Sequence, residues 1–337
     1  MVQAPTITLR YADDVRALDG VRLVQEFGKR SAALGLRDLE FSYDDASRTW
    51  SLRIPALPIS RMEYRLELRR DGRPETVTDP ANPLVAPGAF GDKSVLEMPG
   101  YRSPAWLDAT VVAGTWTEQT IRSAALRRDI PVRIWTPHGL TSRGILLAHD
   151  GIEYDKLASL GRYSSAMIAS GAMPPHDLVL LRPVERNDWY SANPAYAKAL
   201  VTEVIPALPR LPIAALGASL GGLSLLHAHL RYPYTFGGLF LQSGSFFVNR
   251  YDGHESNFPP YQRIVRFVNG VRRRRRPDDR APIVLTCGLG EENLSNNRAM
   301  ASVLDAPLIE VPDAHNFVAW RDAWDPYLAN LATAAWG

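Results

Sequence analysis

From about residue 110 onward, fully apolar runs alternate with longer helix-like stretches, and this rhythm is the tightest constraint on the fold. The runs are ILLAH (145–149), LVLLRP (178–183), IAALGAS (213–219), GLFLQS (238–243), IVLTCG (283–288) and LIEVP (308–312). Helical patterns lie between them, near 155–171, 194–207, 221–231, 293–304 and 317–335. A strand that is apolar at every position is covered on both faces. Strand–helix alternation then requires parallel crossovers. The expected architecture is a doubly wound, mostly parallel α/β sheet, with its ligand site at the C-terminal ends of the strands.

The first 110 or so residues keep a different rhythm. Apolar and polar positions alternate in ITLRY (7–11), VRLVQEF (21–27), LEFSY (39–43), WSLRIP (50–55) and MEYRLELRR (62–70). Turn-rich stretches such as DDAS and RDGRP separate them, a pattern that predicts an antiparallel β-sandwich. LVQEFGKRSAALG allows a short helix. Residues 77–105 are rich in Pro and Gly, which block central-strand pairing. Their aromatics Phe90 and Tyr101, with Trp106 just beyond, favour an ordered linker packed across the sandwich. The expected division is 1–110 for the sandwich and linker and 111–337 for the catalytic domain.

Composition narrows the function. Hydrophobic residues make up 46 % and charged residues 22 % of 337, ordinary values for a globular chain. With 38 Lys and Arg against 36 Asp and Glu, the net charge of +2 exerts no general pull on nucleic acid or anionic membrane. The five arginines 272–276 are diluted by Asp278 and Asp279, and read as a solvated helix end, or more narrowly as a lure for an anionic substrate. One cysteine, Cys287, excludes an intramolecular disulfide. No signal-peptide pattern or long apolar run is present, so the expected location is the cytoplasm.

The chemistry-bearing motif is Gly217-Ala218-Ser219-Leu220-Gly221, a G-x-S-x-G placed after a buried strand and before a helix. In that context it predicts a nucleophile elbow, with Ser219 as nucleophile and the Leu220 N–H as an oxyanion donor. A structural serine in a Gly-rich turn is the plainer alternative. The loop LLAHDGIEY offers Gly151 or Ile152 as the second oxyanion donor. His149 and Asp150 are adjacent and lack a third ligand in spacing, so no metal site is expected there.

A serine hydroxyl needs a base, backed by a carboxylate, and in this fold the order is Ser, acid, His. Of seven histidines, only His315 follows the last strand and precedes the last helix. The acid belongs after IVLTCG, where Glu291 is preferred and Glu292 is the alternative, with Asp305 and Asp313 behind them. Arg186, Asn187, Trp189 and Tyr190 follow another strand and are candidate substrate contacts; a loop whose aromatics cover the core is equally compatible.

With these segments assembled, the chain resembles the enterochelin esterase family of esterase D-like α/β-hydrolases over nearly its whole length. LLAHDGIEY, RNDWYSANPAYAKALVTEVIPAL, GASLGG, CGLGEENLSNNRAMASVL and DAHNFVAWRDA carry the resemblance. TDPANPLVAPGAFGDKSVL and the strands before it resemble the immunoglobulin-like domain that precedes the hydrolase there. The chain departs at Trp189, where many relatives carry a glutamate. The resemblance implies hydrolysis of carboxylic esters without a cofactor, with Ser219, Glu291 and His315 as the catalytic set. The implied partner is a small-molecule ester, in the siderophore case an iron-loaded trilactone. A homodimer is compatible with the sequence. An acyltransferase on the same fold, or a glycan-binding protein with an inactive hydrolase domain, are the alternatives.

Overall fold

The computed structural model describes residues 6–88, 91–273 and 281–337. Contacts divide the chain into two units. The first comprises Met1–Arg102 together with Gly288–Glu292 and Pro312–Asn316; the second comprises Ser103–Cys287, Asn293–Val311 and Phe317–Gly337. Phe90 and Arg274–Arg276 lie outside the described residues.

The first unit is built on two antiparallel sheets. One orders β1 (Thr6–Ala12), β4 (Thr49–Pro55) and β3 (Ser42–Asp44); the other orders β2 (Gly20–Gln25), β5 (Arg61–Arg70), β8 (Lys93–Glu97) and β7 (Val85–Ala86), with β6 (Arg73–Val77) paired to β5. Period-two alternation decides which side chains turn inward. Trp50, Leu52 and Ile54 of β4 meet Val21 and Leu23 of β2 and Met62, Tyr64, Leu66 and Leu68 of β5 in one core. Asp71 and Gly72, both at positive φ (49° and 70°), close the β5–β6 hairpin as its two-residue turn requires. Arg61 and Glu63, on the opposite face of β5 from Met62 and Tyr64, are also buried. Three sequence expectations shift here: the stretch 77–105, read as a linker, itself supplies β7 and β8 to the second sheet, with β8 paired on both sides. LEFSY pairs as a strand only from Ser42 on, and the short helix is a 3-10 turn over Gly28–Leu34.

The second unit carries an eight-stranded sheet ordered β16-β15-β14-β13-β11-β12-β10-β9. Its strands are β9 (Gly114–Ser123), β10 (Arg128–Pro137), β11 (Gly144–Ala148), β12 (His176–Leu181), β13 (Ile213–Ala218), β14 (Gly238–Gln242), β15 (Ile283–Gly288) and β16 (Leu308–Val311). The strands β12, β11, β13, β14 and β15 pair in parallel, whereas β9 and β10 form an antiparallel hairpin on β12. The helices are α1 (Gly151–Ala158), α2 (Leu160–Ala169), α3 (Arg186–Trp189), α4 (Pro194–Ala199), α5 (Leu220–Arg231), α6 (Asn249–Asp252), α7 (Tyr261–Arg273), α8 (Leu294–Leu304), α9 (Phe317–Asp322) and α10 (Tyr327–Trp336). Both faces of the sheet are covered, which explains the uninterrupted apolar runs. Ile145 and Leu147 of β11 pack with α4, α5, α7 and α8, while Leu146 and Ala148 pack with α1, α2 and α10. The helix expected over 155–171 starts earlier and breaks at Ser159, whose φ is 60°. The one expected over 317–335 is two helices. Among the described residues, no helix is long and apolar enough to cross a membrane.

Gly144 opens β11 directly beneath the indole of Trp336, with no room for a Cβ. Gly144→Ala is expected to destabilise the protein by about 1–3 kcal/mol through overpacking. Gly253→Ala, where nothing lies within 4 Å of the added methyl, serves as the control and should stay within about 0.5 kcal/mol. Urea unfolding of both variants checks the difference.

Candidate active site

Ser219 sits where β13 ends and α5 begins, with φ 54° and ψ −123°. A non-glycine residue held there is strained, and such strain persists only where the surroundings enforce it. They do so here through size. A Cβ on Gly217 would lie 2.7 Å from the Gly221 carbonyl carbon, and one on Gly222 would lie 3.0 Å from the Gly217 oxygen. The Ser219 N–H donates to the Gln242 carbonyl at 2.9 Å, tying the turn to the end of β14. Gln242 is in turn fixed by its buried side chain. Its Oε1 accepts from Tyr154 (3.0 Å) and Trp324 (3.1 Å), and its Nε2 donates to the Trp320 carbonyl at 2.9 Å. The Ser219 hydroxyl lies 3.1 Å from the hydroxyl of Ser245, a residue not singled out in the sequence, although it sits in the small-residue segment after β14. Leu220 opens α5, so its N–H has no acceptor within the helix.

The loop after β11 is equally constrained. Asp150 adopts φ 48°, and Gly151 passes so close to β12 that a Cβ would meet the Leu180 Cα at 2.6 Å. His149 is fully buried, which pushes its pKa down to about 3 and keeps it neutral. Because a carbonyl only accepts, His149 Nδ1–H donates to Gly221 O at 3.1 Å, leaving Nε2 to accept from the Tyr196 hydroxyl at 3.1 Å. Asp150 takes a two-pronged ion pair from Arg186, with distances of 2.8 Å and 2.6 Å. Both residues weighed as metal ligands are thus occupied as internal braces, which hold the Gly151–Ile152 backbone beside the start of α5.

The loops after β15 and β16 belong to the first unit. There Glu291, 2 % exposed, accepts the Gly288 N–H through Oε1 at 2.7 Å. Its Oε2 lies 2.8 Å from His315 Nδ1. The imidazole is therefore oriented by a buried carboxylate at its Nδ1 side. Glu292 turns away to the Lys29 N–H. Asp305 caps α8 in a left-handed conformation, and Asp313 is buried in the first unit.

The four expected substrate contacts divide. Trp189 and Tyr190 are 2 % and 0 % exposed and belong to the apolar core. Trp189 stacks on Tyr196 at 5.6 Å, and Tyr190 stacks on His149 at 4.5 Å while its hydroxyl accepts the Asp150 N–H. These aromatics brace the loop after β11 from inside, the core-covering alternative of the two readings the sequence left open. Arg186 is committed to Asp150, and Asn187 alone is exposed without such a tie.

The Esterase family model matches residues 123–321. The iron(III) enterobactin esterase of Escherichia coli O6:H1 is 27% identical over 296 residues, 78% of this chain and 72% of the relative. The enterochelin esterase structure from Shigella flexneri superposes with a TM-score of 0.74 at 20% identity, covering 97% of this chain and 92% of that one. The ferric enterobactin esterase structure from Salmonella typhimurium gives 0.76 at 19% identity, over 98% and 93%. At these identities the structural likeness establishes the fold, an α/β-hydrolase with a mixed sheet.

As a core residue, Trp189 should cost about 3–5 kcal/mol of stability when replaced in Trp189→Ala. The surface change Asn187→Ala should stay within about 0.5 kcal/mol. Denaturant unfolding of the pair measures this, and a Trp189 variant of unaltered stability would return that residue to the pocket.

Proposed function

Because the chain belongs to the Esterase family and is a carboxylic ester hydrolase, we propose that it acts through an acyl-enzyme on Ser219, with His315 as general base and Glu291 as the carboxylate that orients it. The reading rests above all on Ser219, held at φ 54° between a buried strand and a helix N-terminus. The Glu291–His315 contact supports it, as does the sheet. The strands β13, β15 and β16 lead into the three loops concerned, in the chain order Ser, acid, His.

In this mechanism the Ser219 hydroxyl attacks the ester carbonyl as His315 Nε2 takes its proton. The tetrahedral oxyanion is received by the Leu220 N–H and by a backbone N–H of Gly151 or Ile152. Collapse expels the alcohol, which recovers the proton from His315 and leaves the acyl group on Ser219. A water molecule, deprotonated by His315, then attacks the acyl-enzyme and releases the acid. Glu291 keeps the Nδ1–H tautomer in place and stabilises the imidazolium without taking its proton.

The substrate we propose is a bulky siderophore-type ester, such as a trilactone, in keeping with the iron(III) enterobactin esterase relative, with any bound iron as cargo. We retain a two-domain reading, in which an immunoglobulin-like sandwich with its linker, ending between Arg102 and residue 110, precedes the hydrolase.

Ser219→Ala should reduce ester turnover by roughly 10⁴ or more, and His315→Ala comparably, as for residues that act as a unit. Glu291→Gln should cost roughly 10²–10⁴ in kcat, while Glu292→Gln leaves turnover close to that of the parent. Steady-state kinetics on an aryl ester and on an iron-loaded trilactone check both chemistry and substrate class. Retained turnover in Ser219→Ala would refute the mechanism, and loss confined to Glu292→Gln would move the acid by one residue.

A further inference from the structure

His315 stands on an irregular loop and its side chain is 38% exposed, so, beside the Glu291 contact, its placement depends on how the flanking residues are held. Those neighbours enter a group of buried charges. Arg61, Glu63 and Asp313 are 3%, 4% and 4% exposed. Arg61 lies 3.7 Å from Glu63 and 3.9 Å from Asp313. Lys93 donates to Glu63 at 3.2 Å and to Glu26 at 3.0 Å. Asn316 donates to Glu26 at 2.8 Å and reaches Asp313 at 3.4 Å. The contacts close into a ring: Arg61, Glu63, Lys93, Glu26, Asn316, Asp313 and back to Arg61. Two of its members, Asp313 and Asn316, bracket His315.

Other ties hold the same loops. The Ser60 N–H donates to the Pro312 carbonyl at 2.5 Å, and Ala314, 0% exposed, lies in the core shared by the two antiparallel sheets. The Gly290 N–H donates to the Asp313 carbonyl at 2.9 Å, and Arg30 donates to the Leu289 carbonyl at 3.1 Å. Burying so many charges is expensive, and apolar residues of equal volume usually stabilise as well or better. A ring that ends on the residues flanking one histidine is better explained by positioning.

We propose that the ring of Arg61, Glu63, Lys93, Glu26, Asn316 and Asp313 is a positioning device for the Glu291–His315 pair, which makes strands β5 and β8 part of the esterase's working apparatus. The proposal rests on the reading of His315 as the base.

The ring also implies a pH dependence. It contains two cations and three carboxylates, so one proton balances it. Burial pushes Asp313 up to about 8 and Glu26 upward as well. The groups facing Asp313 are Arg61 from β5, Glu26 from the segment after β2, and Asn316 with the Ala314 N–H from its own loop. Asp313 binds a proton in the folded state between its ordinary 3.8 and about 8, where the unfolded chain does not. The stability contributed by this proton is therefore full below 3.8, falls as pH rises through that window and is gone above about 8. Past about 8 the ring carries an unbalanced negative charge, and the hold on His315 loosens.

The test uses the full chain with Arg61→Met, Arg61→Lys and Asp313→Asn. Three readouts apply: kcat and KM on an aryl ester, the pH profile of kcat, and the imidazole Nδ1 proton resonance of His315, with thermal unfolding to confirm folding. Arg61→Met should lower kcat by about tenfold to a hundredfold, as a misplaced catalytic group does, with KM little changed and the Nδ1 resonance shifted or lost. Arg61→Lys should restore part of both. Asp313→Asn, a fixed neutral group, should remove the decline in kcat centred near pH 8, and it remains informative if Arg61→Met fails to fold. An unchanged resonance and kcat in Arg61→Met, or an unaltered alkaline limb in Asp313→Asn, overturns the ring. Retained activity in Ser219→Ala overturns the catalytic reading instead, and the resonance still reports on the ring.

Discussion

One backbone turn constrains the second unit more than any other feature. A serine at φ 54° is tolerated only if the chain on either side of it is nearly bare, which dictates Gly217, Gly221 and Gly222. The turn must also leave a strand and enter a helix that are both buried. β13 meets this by being apolar at every position, and α5 by burying all of its residues from Leu220 to His229. Around it the polar groups are satisfied almost without solvent. Gln242 collects the hydroxyl, indole and carbonyl groups of four neighbours, and His149 bridges Gly221 to Tyr196. A polar network of this kind makes the turn rigid because each broken member leaves a buried group unpaired.

The first unit solves a different problem. Its sheets bury an ordinary apolar core, yet on the other face of β5 they carry Arg61 and Glu63 into the interior. Asp313 and Asn316, residues remote in sequence, join them in one network from a loop following β16. The unit is thus held by two kinds of force, one non-directional and one sensitive to geometry and to pH. The second kind converges on the loop bearing His315.

How much of this was legible in the sequence follows from the same physics. The parallel strands were readable because two-sided burial leaves an unbroken apolar signature. The β9–β10 hairpin was not, since β9 is largely exposed and Pro131 interrupts β10, masking the strand pattern. Ser219 stood out through its glycines. The positions of Glu291 and His315 followed from chain order, but two adjacent glutamates have the same sequence context. Only their partners, His315 for one and the Lys29 N–H for the other, tell them apart. Trp189 and Tyr190 stay open between pocket and core in the sequence because an irregular loop has no periodicity to say which side chains face inward. The ring was invisible for a similar reason: Arg61 and Glu63 alternate correctly for a solvent-facing strand, and nothing local reveals that this face is covered.

The most direct measurement is covalent labelling with a fluorophosphonate, followed by peptide mass spectrometry. The account predicts a single adduct mapped to Ser219, absent from Ser219→Ala and slowed in His315→Ala. An adduct at another residue, or undiminished labelling of Ser219→Ala, would contradict it.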